Sequence, residues 1–71
     1  MHRFMLTIRE IADHAGSGAE LAKQLGITRA AVWQWKQVPA NRVIAVEAIT
    51  RIPREKLRPD LYPPKNHDAH A

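Results

Sequence analysis

The sequence predicts an all-α domain of five short helices over residues 1–63, followed by a disordered tail at residues 64–71. Two observations carry this prediction. Apolar residues recur every three or four positions along successive segments, which is the spacing of one face of an α-helix. Prolines at positions 59, 63 and 64 remove amide donors that a central β-strand would need, and the tail that follows has no apolar period.

The size and composition of the chain limit its class. Seventy-one residues, 45% of them hydrophobic and 25% charged, are typical of one small folded domain, for which a second subunit adds stability. The chain has no cysteine, which excludes a disulfide framework and a thiolate metal site. The apolar run at the N-terminus contains Arg3 and Arg9 and is too short for a signal core or a membrane span. We therefore expect a cytoplasmic protein that forms a homodimer.

The first helix is predicted from Thr7 to Ala15. Thr7 and Glu10 have the spacing of a capping box, in which the threonine hydroxyl and the glutamate carboxylate each accept a backbone amide of the first turn. Gly16 then ends the helix, because glycine readily adopts the backbone conformation of a helix C-terminus.

The stretch GSGAELAKQLGITRAAVWQWKQ, residues 16–37, predicts two helices joined by a tight turn. Ser17 and Glu20 have the spacing of a second capping box and open the first of these helices. Its apolar stripe ends at Leu25, and Gly26 supplies the residue that tolerates a positive φ at the corner.

The second helix of this pair is predicted over residues 29–36, with Thr28 as its N-cap. At about 100° per residue, the helix has one apolar side and one side that faces outward. The residues predicted to pack inward are Ala31, Val32 and Trp35. The residues predicted to face outward are Arg29, Ala30, Trp33 and Gln34, with Lys36 at the margin.

Two more helices are predicted in the C-terminal half. Pro39 both ends the preceding helix and starts a fourth over residues 40–50, in which Val43, Val46 and Ile49 have helical spacing. A fifth short helix is predicted over residues 52–57, with Pro53 in its first turn. The residues of the fourth helix expected to face outward include Arg42, Glu47 and Arg51.

Positive charge is concentrated after the corner at Gly26. Residues 1–16 and residues 17–28 are each neutral, whereas residues 29–42 carry Arg29, Lys36 and Arg42 with no acid, and the whole chain carries +4. A block of this kind favours a polyanionic partner, since each neutralised phosphate releases counterions. The alternative is an ordinary solvated surface.

The segment GAELAKQLGITRAAVWQWKQVPANRV, together with LRPDLYP, resembles the Cro-type repressors of lambdoid phages and the related YdaS-like proteins of bacterial elements. The likeness extends over residues 7–63. It implies a compact lambda-repressor-like DNA-binding domain with a helix-turn-helix at residues 17–37. A purely structural helical hairpin is the competing interpretation of the same pattern.

The resemblance and the helix geometry together place the DNA-contacting residues. In such repressors, the start of the second motif helix and a residue one turn later meet base edges. The predicted base contacts are Arg29, Ala30, Gln34 and Trp33. Arg29 has the donors for guanine and Gln34 has the groups for adenine, although Arg29 could instead reach a phosphate. Trp33 departs from the small or polar residue usual in relatives; it either lies against DNA or packs on Ala19 or Lys23.

The remaining site predictions concern the DNA backbone and the dimer. The predicted phosphate contacts are Ser17, Lys36, Asn41 and Arg42, and Ser17 could equally serve as a cap alone. The predicted dimer interface is Ile52, Leu57, Leu61 and Tyr62, and these residues could equally close the core of one chain.

The function predicted from these observations is that of a sequence-specific transcriptional repressor, which binds a palindromic double-stranded DNA operator through the major groove as a weak homodimer. The alternative is an antitoxin-like module that binds a partner protein, with DNA binding secondary. We expect no enzyme activity, cofactor, membrane association or small-molecule substrate. His67 and His70 lie in the predicted tail and lack the further ligands that a zinc site needs.

Overall fold

The computed structural model describes residues 6–63. Their helices are α1 (Ile8–His14), α2 (Gly18–Leu25), α3 (Arg29–Trp33), α4 (Val43–Thr50) and α5 (Arg54–Leu57), with a 3₁₀ turn at Ala40–Arg42 before α4. No strand occurs within this described part of the chain. The prediction of an all-α fold is confirmed, and the predicted tail at residues 64–71 lies outside the described residues.

Short polar side chains begin the first two helices as the sequence indicates. The Glu10 amide donates to Thr7 Oγ1 at 3.1 Å, and the Thr7 amide donates to Glu10 Oε1 at 2.8 Å, so the capping box of α1 is complete. Ser17 Oγ accepts the Glu20 amide at 3.0 Å. The Glu20 carboxylate instead accepts the side-chain amide of Gln24 at 3.1 Å, and the second capping box has only its hydroxyl half.

The turn between α2 and α3 has the geometry expected of a helix-turn-helix. Gly26 ends α2 with φ 74°, a conformation that costs other residues about 1–2 kcal/mol. The Ile27 amide donates back to the Ala22 carbonyl at 3.0 Å. Thr28 Oγ1 then accepts the Ala31 amide at 3.1 Å and opens α3.

Helix α3 is shorter than predicted. It ends at Trp33, with Gln34 as its C-cap, rather than at Lys36. The physical reason lies downstream, because Pro39 disfavours helical backbone in Val38, and Val38 lies outside any helix and is fully buried. The chain must leave the helical path early enough to place Val38 in the core.

One hydrophobic core joins all five helices. Helices α1 and α2 pack on each other and on α4, while α3 packs on α2. The buried apolar residues are Ile11, Ala12, Leu21, Ala22, Val32, Val38, Val43, Val46, Ile52 and Leu57. The half-buried apolar residues packed against them are Leu6, Ile8, Ala15, Leu25, Ile27, Trp35, Ile49 and Tyr62.

Two arginines of the C-terminal half bind carbonyls on either side of α3. Arg58 is 8% exposed and donates from Nη1 to the Val38 carbonyl at 2.8 Å. Its Nε and Nη2 donate to the two carboxylate oxygens of Asp60 at 2.9 and 2.7 Å. Arg42 donates from Nη1 to the Leu25 carbonyl at 3.4 Å. The segment that carries α3 is therefore bonded to the C-terminal half at both ends.

The carboxylate of Glu47, predicted to face outward on α4, is half-buried and joins α4 to α5. Its oxygens accept the backbone amide of Arg54 at 2.9 Å and the side-chain Nε of Arg54 at 3.0 Å. The hydrogen bond from the Arg54 backbone amide and the ion pair with the Arg54 side chain lower the pKa of Glu47. Between them, Arg51 caps α4 in the left-handed conformation with φ 66°, where glycine is usual.

Candidate nucleic-acid interface

The outward face of α3 is polar and cationic. The residues exposed on and just after this helix are Arg29, Ala30, Trp33, Gln34 and Lys36. The opposite side is apolar: Val32 is fully buried, and Ala31 and Trp35 are half-buried. The two sides assigned from helical periodicity are confirmed.

Arg29 and Gln34 have side chains with the chemistry to recognise base edges. Arg29 is the first residue of α3 and Gln34 is its C-cap, so the two lie at opposite ends of the exposed face. A guanidinium has two parallel donors for the acceptors of guanine, and a side-chain amide has one donor and one acceptor for adenine. Ala30 lies beside them and has no side-chain polar group.

Trp33 packs against α2 and α1. It is 43% exposed, as the sequence indicates, and its indole covers Gly18, where an added Cβ would lie 2.9 Å from Trp33 Cε2. The Arg9 guanidinium carbon lies 5.6 Å from the centroid of the Trp33 ring, within the range of a cation–π contact. Of the two expectations for Trp33, packing on the preceding helix agrees with these contacts, although the residue beneath it is Gly18 rather than Ala19 or Lys23.

An open cleft of about 590 Å³ lies where α1, α2 and α3 meet. Its lining brings together residues from all three helices and the α1–α2 turn: Arg9, Asp13, Gly16, Ser17, Gly18, Ala19, Arg29 and Trp33. Two guanidinium groups and one carboxylate therefore border a surface that leads onto the exposed face of α3.

The four residues predicted to contact phosphates differ in their exposure and in the hydrogen bonds that their side chains already form. Ser17 is exposed and its hydroxyl caps α2, while Lys36 and Asn41 are exposed on either side of Pro39. Arg42 is half-buried and its guanidinium donates to the Leu25 carbonyl. Among these residues, Arg42 has the least capacity to extend towards a nucleic acid.

A family model described as bacterial toxin YdaS matches residues 8–66. The chain belongs to the YdaS family. Comparisons with curated proteins and with solved structures give no match. The YdaS-like part of the resemblance is thereby confirmed, and the Cro-type part stays a prediction.

The four residues predicted for the dimer interface of this YdaS-family protein separate into two groups. Ile52 and Leu57 are 5% and 1% exposed and close the core of their own chain, which leaves them little surface for a partner. Leu61 is 43% exposed. Tyr62 is half-buried and lies 5.6 Å, from ring centroid to guanidinium carbon, under Arg54.

Sequence analysis did not single out Arg9, Gly18 or Arg58 in the YdaS-family chain. Gly18 and Arg9 matter because α3 places Trp33 over them, and this contact joins residues far apart in sequence. The one available signal for Gly18 was the unexpected tryptophan at position 33, which needs a neighbour without a side chain. Nothing in the sequence indicates that Arg58 is buried, because a buried arginine cannot be distinguished from an exposed one by sequence.

Within residues 6–63, no group of three or more His, Asp or Glu side chains is placed to hold a metal ion. His67 and His70 lie outside the described residues. Helices long and apolar enough to cross a bilayer are also not found in the described part of the YdaS-family chain.

Proposed function

We propose that this YdaS-family protein is a sequence-specific double-stranded DNA-binding protein that represses transcription. The observation that carries the proposal is the division of α3 into a packed side and an exposed side with Arg29, Ala30 and Gln34. A helix presented in this way by a tight turn has the form of a recognition helix in the major groove.

The chemistry of the exposed side supports recognition of particular bases. Arg29 donates to guanine O6 and N7, and Gln34 pairs with adenine N6 and N7. Each such contact discriminates against the wrong base by about 1–3 kcal/mol. Lys36 and Asn41 bind phosphates nearby, which orients α3 without adding sequence information.

The size of the surface favours two copies on one operator. A five-residue helix reads only a few base pairs, and two copies related by a two-fold axis read a palindrome with half-sites about 34 Å apart. Leu61 and Tyr62 form the surface through which we propose that the two copies meet. Such a dimer is weak in solution and is stabilised by the DNA.

The test is selection from random duplex DNA followed by sequencing at two salt concentrations. The proposal predicts a palindromic consensus that persists at the higher salt concentration. Arg29→Ala and Gln34→Ala should each relax the consensus at one position per half-site. Gln24→Ala is the matched control, because Gln24 is exposed on α2 and its amide is bonded to Glu20. Binding without any consensus would contradict sequence-specific recognition.

A second candidate function is binding to a partner protein, in keeping with the family description as a bacterial toxin. The observation that favours it is apolar surface away from α3: Ile44 on α4 and Leu61 after α5 are 49% and 43% exposed. A toxin or an antitoxin could present this surface to a protein target.

Induced expression in a bacterial host separates the two candidates. If growth inhibition depends on DNA binding, the Arg29→Ala/Gln34→Ala double variant relieves it and Ile44→Ser does not. If growth inhibition depends on a protein partner, Ile44→Ser relieves it and the double variant does not. Soluble protein levels of each variant are the control for loss of folding.

A further inference from the structure

We infer that Arg9, which lies on α1 outside the helix-turn-helix, is a DNA phosphate ligand that Trp33 holds in position. The inference rests on the proposed function and adds a residue and a helix to its interface. The sequence predicts that Trp33 lies against DNA or packs on the preceding helix, and the structure places its ring over Gly18 and in contact with Arg9.

The contact between Arg9 and Trp33 restricts an exposed guanidinium. The ring lies 5.6 Å from the Arg9 guanidinium carbon, and it rests on Gly18, where the lack of a side chain leaves it room. Within residues 6–63, Arg9 forms no ion pair with a carboxylate. A cation–π contact does not use the N–H groups of the guanidinium as hydrogen-bond donors, and these donors are available to a phosphate.

The position of Arg9 matches the path of a DNA strand beside α3. Arg9 lines the same cleft as Arg29, the first residue of α3, so a duplex whose major groove receives Arg29 has backbone next to Arg9. A phosphate there meets the Arg9 guanidinium, and guanidinium binds phosphate through paired donors. The contact with Trp33 reduces the conformational freedom that Arg9 loses on binding.

The cleft also contains one carboxylate that opposes a phosphate. Asp13 lies one turn after Arg9 on α1 and lines the cleft with it. If a phosphate occupies this place, removal of the Asp13 charge strengthens DNA binding, because the repulsion between two negative charges at one cleft is lost. A role of Arg9 confined to packing on Trp33 gives no reason for this effect.

Salt dependence distinguishes a phosphate ligand from a packing residue. Each phosphate contact contributes about 0.9 to the slope of log affinity against log salt. Arg9→Gln should therefore reduce the magnitude of that slope by about 0.9, which weakens binding about eightfold at about 0.1 M salt and leaves it unchanged near about 1 M. Arg9→Lys, which keeps the charge, should retain the slope.

The experiment measures DNA affinity of the full chain between low and high salt, on the selected operator and on random duplex. Lys56→Gln is the matched control: it removes the same charge from an exposed residue that lines a different cleft, between α1 and the α4–α5 connection. Asp13→Asn should tighten binding about twofold at low salt. Thermal unfolding confirms that each variant is folded.

The outcomes separate the inference from the proposed function. A slope for Arg9→Gln equal to that of the wild type, or equal to that of Lys56→Gln, overturns the role of Arg9 while the wild type still binds its operator. Failure of the wild type to bind any DNA overturns both. A loss confined to Arg9→Gln, with Arg9→Lys retaining the slope and Asp13→Asn tighter, supports the inference.

Discussion

The contact between Gly18 and Trp33 predicts that Gly18→Ala destabilises the wild type but stabilises a variant that lacks the Trp33 side chain. In the wild type, Gly18→Ala places a Cβ too close to the Trp33 ring, 2.9 Å from Cε2. The ring must move away from α2, and Arg9 loses its partner. With Trp33→Ala in place, the three atoms nearest to the added Cβ are gone, and the helix preference for alanine should dominate.

The magnitudes follow from the exposure of Trp33. A tryptophan side chain buries about 150–250 Å² when fully covered. With 43% of Trp33 exposed, its buried area is roughly 100 Å², which stabilises the fold by about 2.5 kcal/mol at about 25 cal/mol/Å². Loss of the Arg9 contact adds about 0.5–1 kcal/mol. The gain from glycine to alanine in a helix is at most about 1 kcal/mol. Gly18→Ala should therefore destabilise the wild type by about 2–2.5 kcal/mol.

The assay is a double-mutant cycle in urea on the wild type, the two single variants and the double variant. We expect Gly18→Ala to lower the free energy of unfolding in the wild type and to raise it by up to about 1 kcal/mol in the Trp33→Ala background. Similar stabilisation by Gly18→Ala in both backgrounds would refute the contact between Trp33 and α2. Equal destabilisation in both would show that Gly18 is required for another reason.

Two further predictions concern the C-terminal half. The bonds from Arg58 lower the pKa of Asp60, so this carboxylate stabilises the fold above its unfolded pKa of about 3.9, and the stabilisation is lost as pH falls through the lower folded pKa. Asp60→Asn should thus lower the unfolding temperature at pH 7, and its unfolding temperature should approach that of the wild type in strong acid. A constant difference between the two unfolding temperatures across that pH range would contradict the ion pair. Arg51 has φ 66°, a left-handed conformation that glycine adopts more easily than arginine. Arg51→Gly should therefore raise the free energy of unfolding by about 0.5–1 kcal/mol. A loss of stability in a thermal melt would show that the Arg51 side chain stabilises the fold by more than its left-handed backbone destabilises it.

The sequence predicts those features that depend on neighbouring residues. The caps at Thr7 and Thr28 and the corner at Gly26 are determined within one helical turn, and all three are confirmed. The exposed sides of Arg29 and Gln34 follow from helical periodicity alone. These features established both the class of fold and the position of the candidate interface.

The features that sequence analysis missed depend on contacts between distant segments. The end of α3 was placed at Lys36 because residues 34–36 contain no helix breaker, yet burial of Val38 before Pro39 ends the helix earlier. The Arg9 contact joins α1 to α3, and the Arg58 contact spans twenty positions to the Val38 carbonyl. An apolar side chain suits both a dimer interface and the core of one chain, so the sequence could not assign Ile52 and Leu57 to either. Only their burial in the structure assigns them to the core of one chain.

The bonds from Arg42 and Arg58 to the carbonyls on either side of α3 have a consequence for the order in which the chain acquires its structure during synthesis. A five-residue helix has no stability of its own, and the groups that fix its ends are made after it on the ribosome. A nascent chain that has produced α3 but not residue 58 therefore lacks one of the two bonds that hold the segment of α3 in place. Removal of residues 58–63 would take away the Arg58 bond to the Val38 carbonyl and leave the segment of α3 bonded to the C-terminal half only through Arg42.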